Sequence, residues 1–311
     1  MNERTSLILK LVSTHIILLP FLILISIWVT CDDSLLIIIA QTLLLILILA
    51  GYWEFFGLWF KRIYWMVSEL IIVVDLILKF TSGTSVVSNW YVIVFLSIIE
   101  VFLLRELIKI AIVILKHEND FCEIEFPFRD GSYLITDGGN SKVSRLMNYH
   151  FYSVIHKKNK TNLSMLFATD IVKTNGTGNR FFPPENKDYP VFGENLISPV
   201  SGLVIKVVNN IDDNVPYSGN YPYNTGNTIV IKNNSRYLLL GHLKKDSIKV
   251  NAGDWVKSNE IIAEAGNSGY SERPHLHIQL IDSADDNFWK GTGISLQFNE
   301  KNLYKNRIVE I

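Results

Sequence analysis

The sequence predicts an N-terminal α-helical transmembrane bundle joined to a C-terminal all-β domain. Three observations predict it. Of the 311 residues, 49% are hydrophobic and only 19% are charged. The charges are unevenly spread, with 16 in residues 1–116 and 43 in the remaining 195. After Lys116 the apolar pattern changes from long unbroken runs to short strand-like segments punctuated by Gly, Pro, Asn and Asp. These shifts divide the chain into a membrane domain with three or four transmembrane helices (1–116), a linker with a leading β-hairpin (117–145), a β domain (146–290) and a C-terminal extension (291–311).

Residues 6–30 are almost continuously apolar. At about 1.5 Å per residue they are long enough for a hydrocarbon core of about 30 Å. A signal peptide would have a shorter apolar core and a small-residue cleavage site. Residues 34–60 form a second candidate span, ending in the aromatics Tyr52, Trp53, Phe55, Phe56, Trp59 and Phe60. Residues 63–80 are less pure, carrying Glu69 and Asp75, and residues 86–116 contain Glu100, Arg105, Glu106 and Lys109. The acidic residues read best as lying near a membrane surface or paired within a bundle. Arg4, Lys10, Lys61 and Arg62 fit a cytoplasmic N-terminus. Four crossings would then leave the C-terminal domain in the cytoplasm, and three would put it outside.

Beyond residue 117, CEIEFPFRDGSYLIT (122–136) reads as two strands around the turn pair Asp130-Gly131. LMNYHFYSVI (146–155) and SMLFATDIV (164–172) read as further strands, followed by 201–208, 227–232, 236–243, 260–266 and 275–281. No helix is expected after 117. The eighteen residues 209–226 have no periodic pattern and are long for a connection in a compact domain, which suggests function or disorder. Tyr217, Tyr221 and Tyr223 in that stretch either line a groove or are incidental to a solvated loop.

The balance of 29 basic and 30 acidic residues provides no global basic field for nucleic acid. Two cysteines, Cys31 and Cys122, exclude a disulfide-dense scaffold and any cysteine-only metal cluster. The histidines carry more information. His275 and His277 flank Leu276 in a strand-like run, so both imidazoles fall on one face. That pairing suits a metal site better than a core. Asp170 stands in an apolar strand, where an unpaired carboxylate would be costly and needs a cation, donors or water. His242 ends the apolar run YLLLGHL, either as a hydrogen-bonded edge residue or as part of a site.

Together SPVSGLVIKVV, NTIVIK, YLLLGHL, IKVNAGDWVKSNEIIAEAGNSG and PHLHIQL resemble, in order and spacing, the lysostaphin-like zinc metallo-endopeptidases of bacterial peptidoglycan. The resemblance spans roughly 165–282, within a peptidase domain at 146–290. It implies a mostly antiparallel barrel-sandwich, the duplicated hybrid motif, with an open groove holding one zinc. It further implies that His277 and Asp170 are zinc ligands and that His242 and His275 are the catalytic pair. Such a metal has three protein ligands and an open position, lowers the pKa of its water and polarises the scissile carbonyl.

The chain departs from the family's His-x-x-x-Asp motif, because Leu166 stands four residues before Asp170. The third ligand therefore comes from elsewhere or is absent. His150 in Asn148-Tyr149-His150 is the candidate, and His156 beside Lys157 and Lys158 the lesser one. Gln279 stands where the family often has Glu, and Arg273 where it often has Gly before the proline.

The expected function is cleavage of peptidoglycan peptides by a zinc endopeptidase anchored in the bilayer of a bacterial cell as a multi-pass protein, with its peptidase domain on the extracytoplasmic side. A catalytically inactive member of the same fold, binding wall peptide or regulating a partner hydrolase, is the alternative. A carrier or sensor module facing the cytoplasm is the third reading, although no exposed lysine in a hairpin turn supports it. No oligomeric state follows from the sequence.

Overall fold

A computed structural model describes residues 34–51, 53, parts of 63–81, 90–115, 121–139, 143–152, 154–155, 160–161, 163–174, 183–218, 225–285 and 287–311. The chain divides into two units, Met1–Leu115 and Lys116–Ile311.

In the first unit, α1 (Ser34–Ala50) and α2 (Trp90–Leu115) are the long described helices. No helix among the described residues is long and apolar enough to cross a membrane. At 17 residues, α1 extends about 26 Å, short of a hydrocarbon core of about 30 Å. The longer α2 carries Glu100, Arg105, Glu106 and Lys109 within its 26 residues, and ionisable groups at that density oppose burial in lipid. The expected transmembrane bundle and multi-pass membrane location are therefore corrected. The apolar stretch 6–30 lies outside the described residues, as do Glu69 and Asp75. Glu100 is buried, and Thr42 Oγ1 of α1 donates a 2.8 Å hydrogen bond to its Oε1.

The second unit is β-rich. Its strands are β1 (Phe121–Glu123), β2 (Ser132–Gly138), β3 (Val154–Ile155), β4 (Lys160–Thr161), β5 (Thr169–Lys173), β6 (Asn195–Ile197), β7 (Gly202–Val208) and β8 (Asn227–Asn233). They continue with β9 (Arg236–Leu243), β10 (Trp255–Val256), β11 (Ile261–Glu264), β12 (Leu276–Asp282), β13 (Thr292–Phe298), β14 (Lys301–Asn302) and β15 (Ile308–Glu310). The main sheet runs β10-β7-β8-β9-β12-β5-β2-β15, with β13 also pairing β12, and two small sheets are formed by β11-β6 and β3-β4. Only the β1–β13 pair is parallel among the described ladders.

Burial explains the strand sequences. Ile229, Ile231, Leu238, Leu240, Leu276, Ile278 and Leu280 alternate onto one face and join the main core. On the opposite face Val230, Tyr237, Leu239 and Ile281 pack with Phe288. Covered on both faces, β9 reads as the unbroken run YLLL rather than as alternation.

Three local expectations differ from the structure. Within 122–136, β1 pairs with β13 and β2 lies between β5 and β15, so they are not hairpin partners. The aromatic run 146–155 forms a helical turn, α3 (Tyr149–Tyr152), before β3. Its entry is set by Met147 N and Asn148 N donating to Ser144 O, and by Asn148 Nδ2 donating to Leu166 O at 2.7 Å. Such local and tertiary bonds outweigh the strand preference of Tyr and Phe, while Val154 and Ile155 keep theirs in β3. The C-terminal residues, which carry no sequence motif, supply three strands: β13 pairs β12 and β1, β14 pairs β13, and β15 pairs β2.

Candidate metal centre

The main sheet aligns the chemistry. Adjacent strands pair Asp137 of β2 with Asp170 of β5, and Asp170 with His277 of β12. His277 in turn stands opposite Gly241, the neighbour of His242 on β9. His150 arrives from α3, and His275 from the residues just before β12.

His277 Nδ1 lies 3.0 Å from Asp170 Oδ1, and His150 Nε2 lies 3.4 Å from Asp170 Oδ2. His275 Nε2 lies 3.7 Å from Asp170 Oδ1. One donor atom each from His150, Asp170 and His277 fall within 4.8 Å of one another. The His242 and His275 rings are 4.7 Å apart, and the His242 and His277 rings 5.6 Å. The structure thus brings together all five residues singled out from the sequence. His156, Tyr221 and Tyr223 lie outside the described residues. Tyr217 is described, and its hydroxyl is 3.0 Å from that of Tyr189. Leu166, where the family's histidine would stand, is a buried apolar residue.

Each ring has a defined partner on its far side. His242 Nδ1 donates to Ser268 O at 2.8 Å and His275 Nδ1 to Arg273 O at 2.8 Å. A carbonyl only accepts, so Nε2 carries the lone pair in both neutral rings. His277 Nε2 donates to Gln279 Oε1 at 2.9 Å, which leaves its Nδ1 as the donor atom toward Asp170. In that orientation of the Gln279 amide, the imidazole lone pair and the carboxylate oxygen 3.0 Å apart are both acceptors and need a cation between them. A proton satisfies this, and so does a divalent metal. The donor set of two imidazoles and one carboxylate fits zinc chemistry.

The electrostatics are strongly coupled. Burial alone would raise Asp170, but His150 and His275 beside it and the hydrogen bond from His277 hold its carboxyl well below the usual carboxylate range. Burial lowers His242 well below the ordinary imidazole value, and the neighbouring His275 and His277 push the same way. Burial also lowers His275, against the attraction of Asp170. His277 is raised: burial acts downward, but the Asp170 hydrogen bond and charge outweigh it.

His242 has a φ of 59°, a left-handed conformation uncommon for a residue with a side chain. Its N–H donates to Thr225 O at 2.7 Å, which holds the strained backbone. The long connection 209–226 has a structural role in its described part. Asn214 Nδ2 donates to Gly269 O and Ser271 O, and Asp213 Oδ1 accepts from Asn267 N at 2.7 Å. These bonds fix the segment that leads into His275.

Sequence reasoning missed Asp137. It is buried behind His150, with Oδ2 3.2 Å from His150 Nδ1. Burial pushes its carboxyl up, against His150 and Lys305. As part of Asp137-Gly138-Gly139 it reads locally as turn chemistry, and only the pairing of β2 with β5 reveals its neighbours.

Residues 191–287 match the profile of Peptidase family M23. That range includes His242, His275 and His277 but not His150 or Asp170. The chain is 35% identical over 103 residues to an uncharacterized metalloprotease of Buchnera aphidicola subsp. Baizongia pistaciae (strain Bp), covering 33% of this chain and 26% of that protein. It is 46% identical over 46 residues to lysostaphin of Staphylococcus simulans, covering 15% of this chain and 9% of lysostaphin. Among solved structures, the lysostaphin catalytic domain from Staphylococcus simulans aligns at 22% identity and a TM-score of 0.27, over 41% of this chain and 73% of that one. A zinc-containing peptidase from Vibrio cholerae aligns at 23% identity and a TM-score of 0.31, over 57% of this chain and 39% of that one. The chain thus spans about a quarter of the first of these curated relatives and less than a tenth of the second.

Proposed function

The β-rich unit carries a lysostaphin-like domain of peptidase family M23, and on that premise we propose that the chain is a zinc endopeptidase acting on the peptides of bacterial peptidoglycan. The observation that carries this reading is the convergence of His150, Asp170, His242, His275 and His277 on one site from separate elements. His150, Asp170 and His277 would hold the zinc. When bound, the metal acidifies water and polarises the scissile carbonyl.

The remaining chemistry belongs to the side chains. His242 and His275, each with Nδ1 tied to a backbone carbonyl, present neutral Nε2 atoms that take and return a proton. Their lowered basicity keeps them neutral near pH 7, ready to accept a proton. Ser271 Oγ, 3.2 Å from His275 Nδ1, reinforces the orientation of that ring.

The test is elemental analysis of the full-length chain together with cleavage of a wall peptide. We expect about one zinc per chain, the number of metals held by a three-ligand catalytic site. Asp170→Ala and His277→Ala should lose it. His275→Ala should keep the metal while cleavage falls about 10²–10⁴-fold, the contribution typical of a positioned acid–base. Retained cleavage in His275→Ala refutes the catalytic assignment. A folded chain without zinc under metal-replete conditions refutes the metal assignment and points to a wall-binding domain.

A further inference from the structure

We infer that Asp137 is the positioning residue that aims His150 at Asp170, and that Lys305 from the C-terminal segment fixes Asp137 in turn. This rests on the zinc-site reading above and extends it to residues outside the matched 191–287 range. The chain has Leu166 four residues before Asp170 in place of a histidine, so the replacement must be held by other means. His150 stands in α3, a single four-residue turn with little rigidity of its own.

Asp137 supplies the rigidity. Its Oδ2 is 3.2 Å from His150 Nδ1, while the opposite ring atom, Nε2, is 3.4 Å from Asp170 Oδ2. The Asp137 carboxylate beside Nδ1 favours the tautomer that carries its proton there, which leaves the Nε2 lone pair toward Asp170. This is how outer carboxylates fix the tautomer and orientation of metal-binding imidazoles. Asp137 also accepts from Tyr149 N at 3.1 and 3.3 Å, so it holds the backbone of the same turn.

Asp137 is itself held from behind. Lys305 Nζ lies 3.9 Å from Asp137 Oδ1 and donates to Leu146 O at 3.1 Å, and the Lys305 side chain is only 3% exposed. A lysine this buried needs a partner, and Asp137 is the carboxylate it reaches. Lys305 is delivered by the pairing of β15 with β2, extended by Asn306 N donating to Ile135 O at 2.7 Å. The C-terminal segment thereby becomes a component of the site.

The experiment measures the zinc Kd of the full-length chain by competition with a chromophoric chelator. The variants are Asp137→Asn, Lys305→Met, His150→Ala and the His150→Ala/Asp137→Asn double variant. Asp137→Asn is nearly isosteric and keeps an oxygen for Tyr149 N–H. Its zinc Kd should rise about 10–100-fold, as for other outer-shell partners of metal-bound histidines. Lys305→Met should give a smaller loss. In the His150→Ala background Asp137→Asn should leave Kd unchanged, because a residue that acts through another has no effect once that residue is gone. An equal loss in both backgrounds shows a merely structural role and overturns the inference. So does an unchanged Kd in Asp137→Asn. If Asp137→Asn does not fold, Lys305→Met carries the test, and an unchanged Kd there overturns the inference. A wild-type chain without zinc affinity overturns the zinc reading and this inference together, whereas wild-type affinity with unaffected variants overturns this inference alone.

Discussion

Gly138→Ala tests whether the approach of β2 to β5 is what assembles the site. Gly138 has a φ of 85° and stands opposite Thr169, beside a register shift between Ile135 and Asp137. A methyl group there would overlap the backbone oxygen and carbon of Ala168. Two costs follow. Forcing an L-residue into this backbone region costs about 1–3 kcal/mol. Relieving the overlap moves β2 away from β5 and breaks the 3.1 Å bond from Gly139 N to Ala168 O, which costs about 1–3 kcal/mol for buried groups left unpaired. The sum is about 2–6 kcal/mol, against a total stability of about 5–15 kcal/mol for a domain. Gly253→Ala separates the two costs. Gly253 has a φ of 101°, but a methyl group there meets nothing within 4 Å. That variant should lose only the strain, and in both variants the restricted unfolded chain returns about 0.4–1 kcal/mol. Urea unfolding of full-length variants, followed by far-UV circular dichroism, measures both. If Gly138→Ala costs no more than Gly253→Ala, the close approach is not what the glycine serves and the reasoning fails.

Two further outcomes are expected. Burial holds His242 and His275 below the ordinary imidazole pKa of 6.5, and protonation removes the form that accepts a proton. With zinc saturating, so that proton competition at the raised His277 does not enter, activity should therefore persist as pH falls through 6.5 and be lost only on the more acidic side. A pH profile of kcat/KM checks this, and an acid limb at or above 6.5 would contradict it. Leu238→Ala empties a fully buried position opposite Leu280, away from the histidines. It should cost about 2–5 kcal/mol in urea unfolding and leave the zinc content of the folded chain unchanged.

The readable part of the site is the part carried by local pattern. Period-2 spacing places His275 and His277 on one face, and an aspartate in an apolar strand marks Asp170. Asp170 and His277 lie in strands whose burial makes the pattern visible, and His275 directly precedes the second of them. Asp137 and Lys305 had no such signal. They are 168 positions apart and meet only because β15 runs along β2. The turn at 149–152 was hidden for a related reason: its residues favour a strand, and the bonds that override them come from Ser144 and Leu166. In the N-terminal unit, apolar composition alone suggested spans. Helix length in α1 and four ionisable residues in α2 decide otherwise among the described residues.

The separation of His150 from Asp170 has an evolutionary consequence. Where two donors share one strand, inserting a single residue between them turns one side chain to the opposite face. Here the two donors sit on different elements, each anchored by its own contacts: His150 through Asp137 and the turn at Ser144, Asp170 through the ladders of β2 and β12. Donors anchored separately in this way tolerate a change in the length of chain between them, because loop-closure cost grows slowly, by about 0.6 kcal/mol per doubling of a flexible loop. The arrangement frees the donor spacing to drift in length, so a relative built this way would be recognised by its Asp137-like and Lys305-like supports rather than by a fixed interval between its donors.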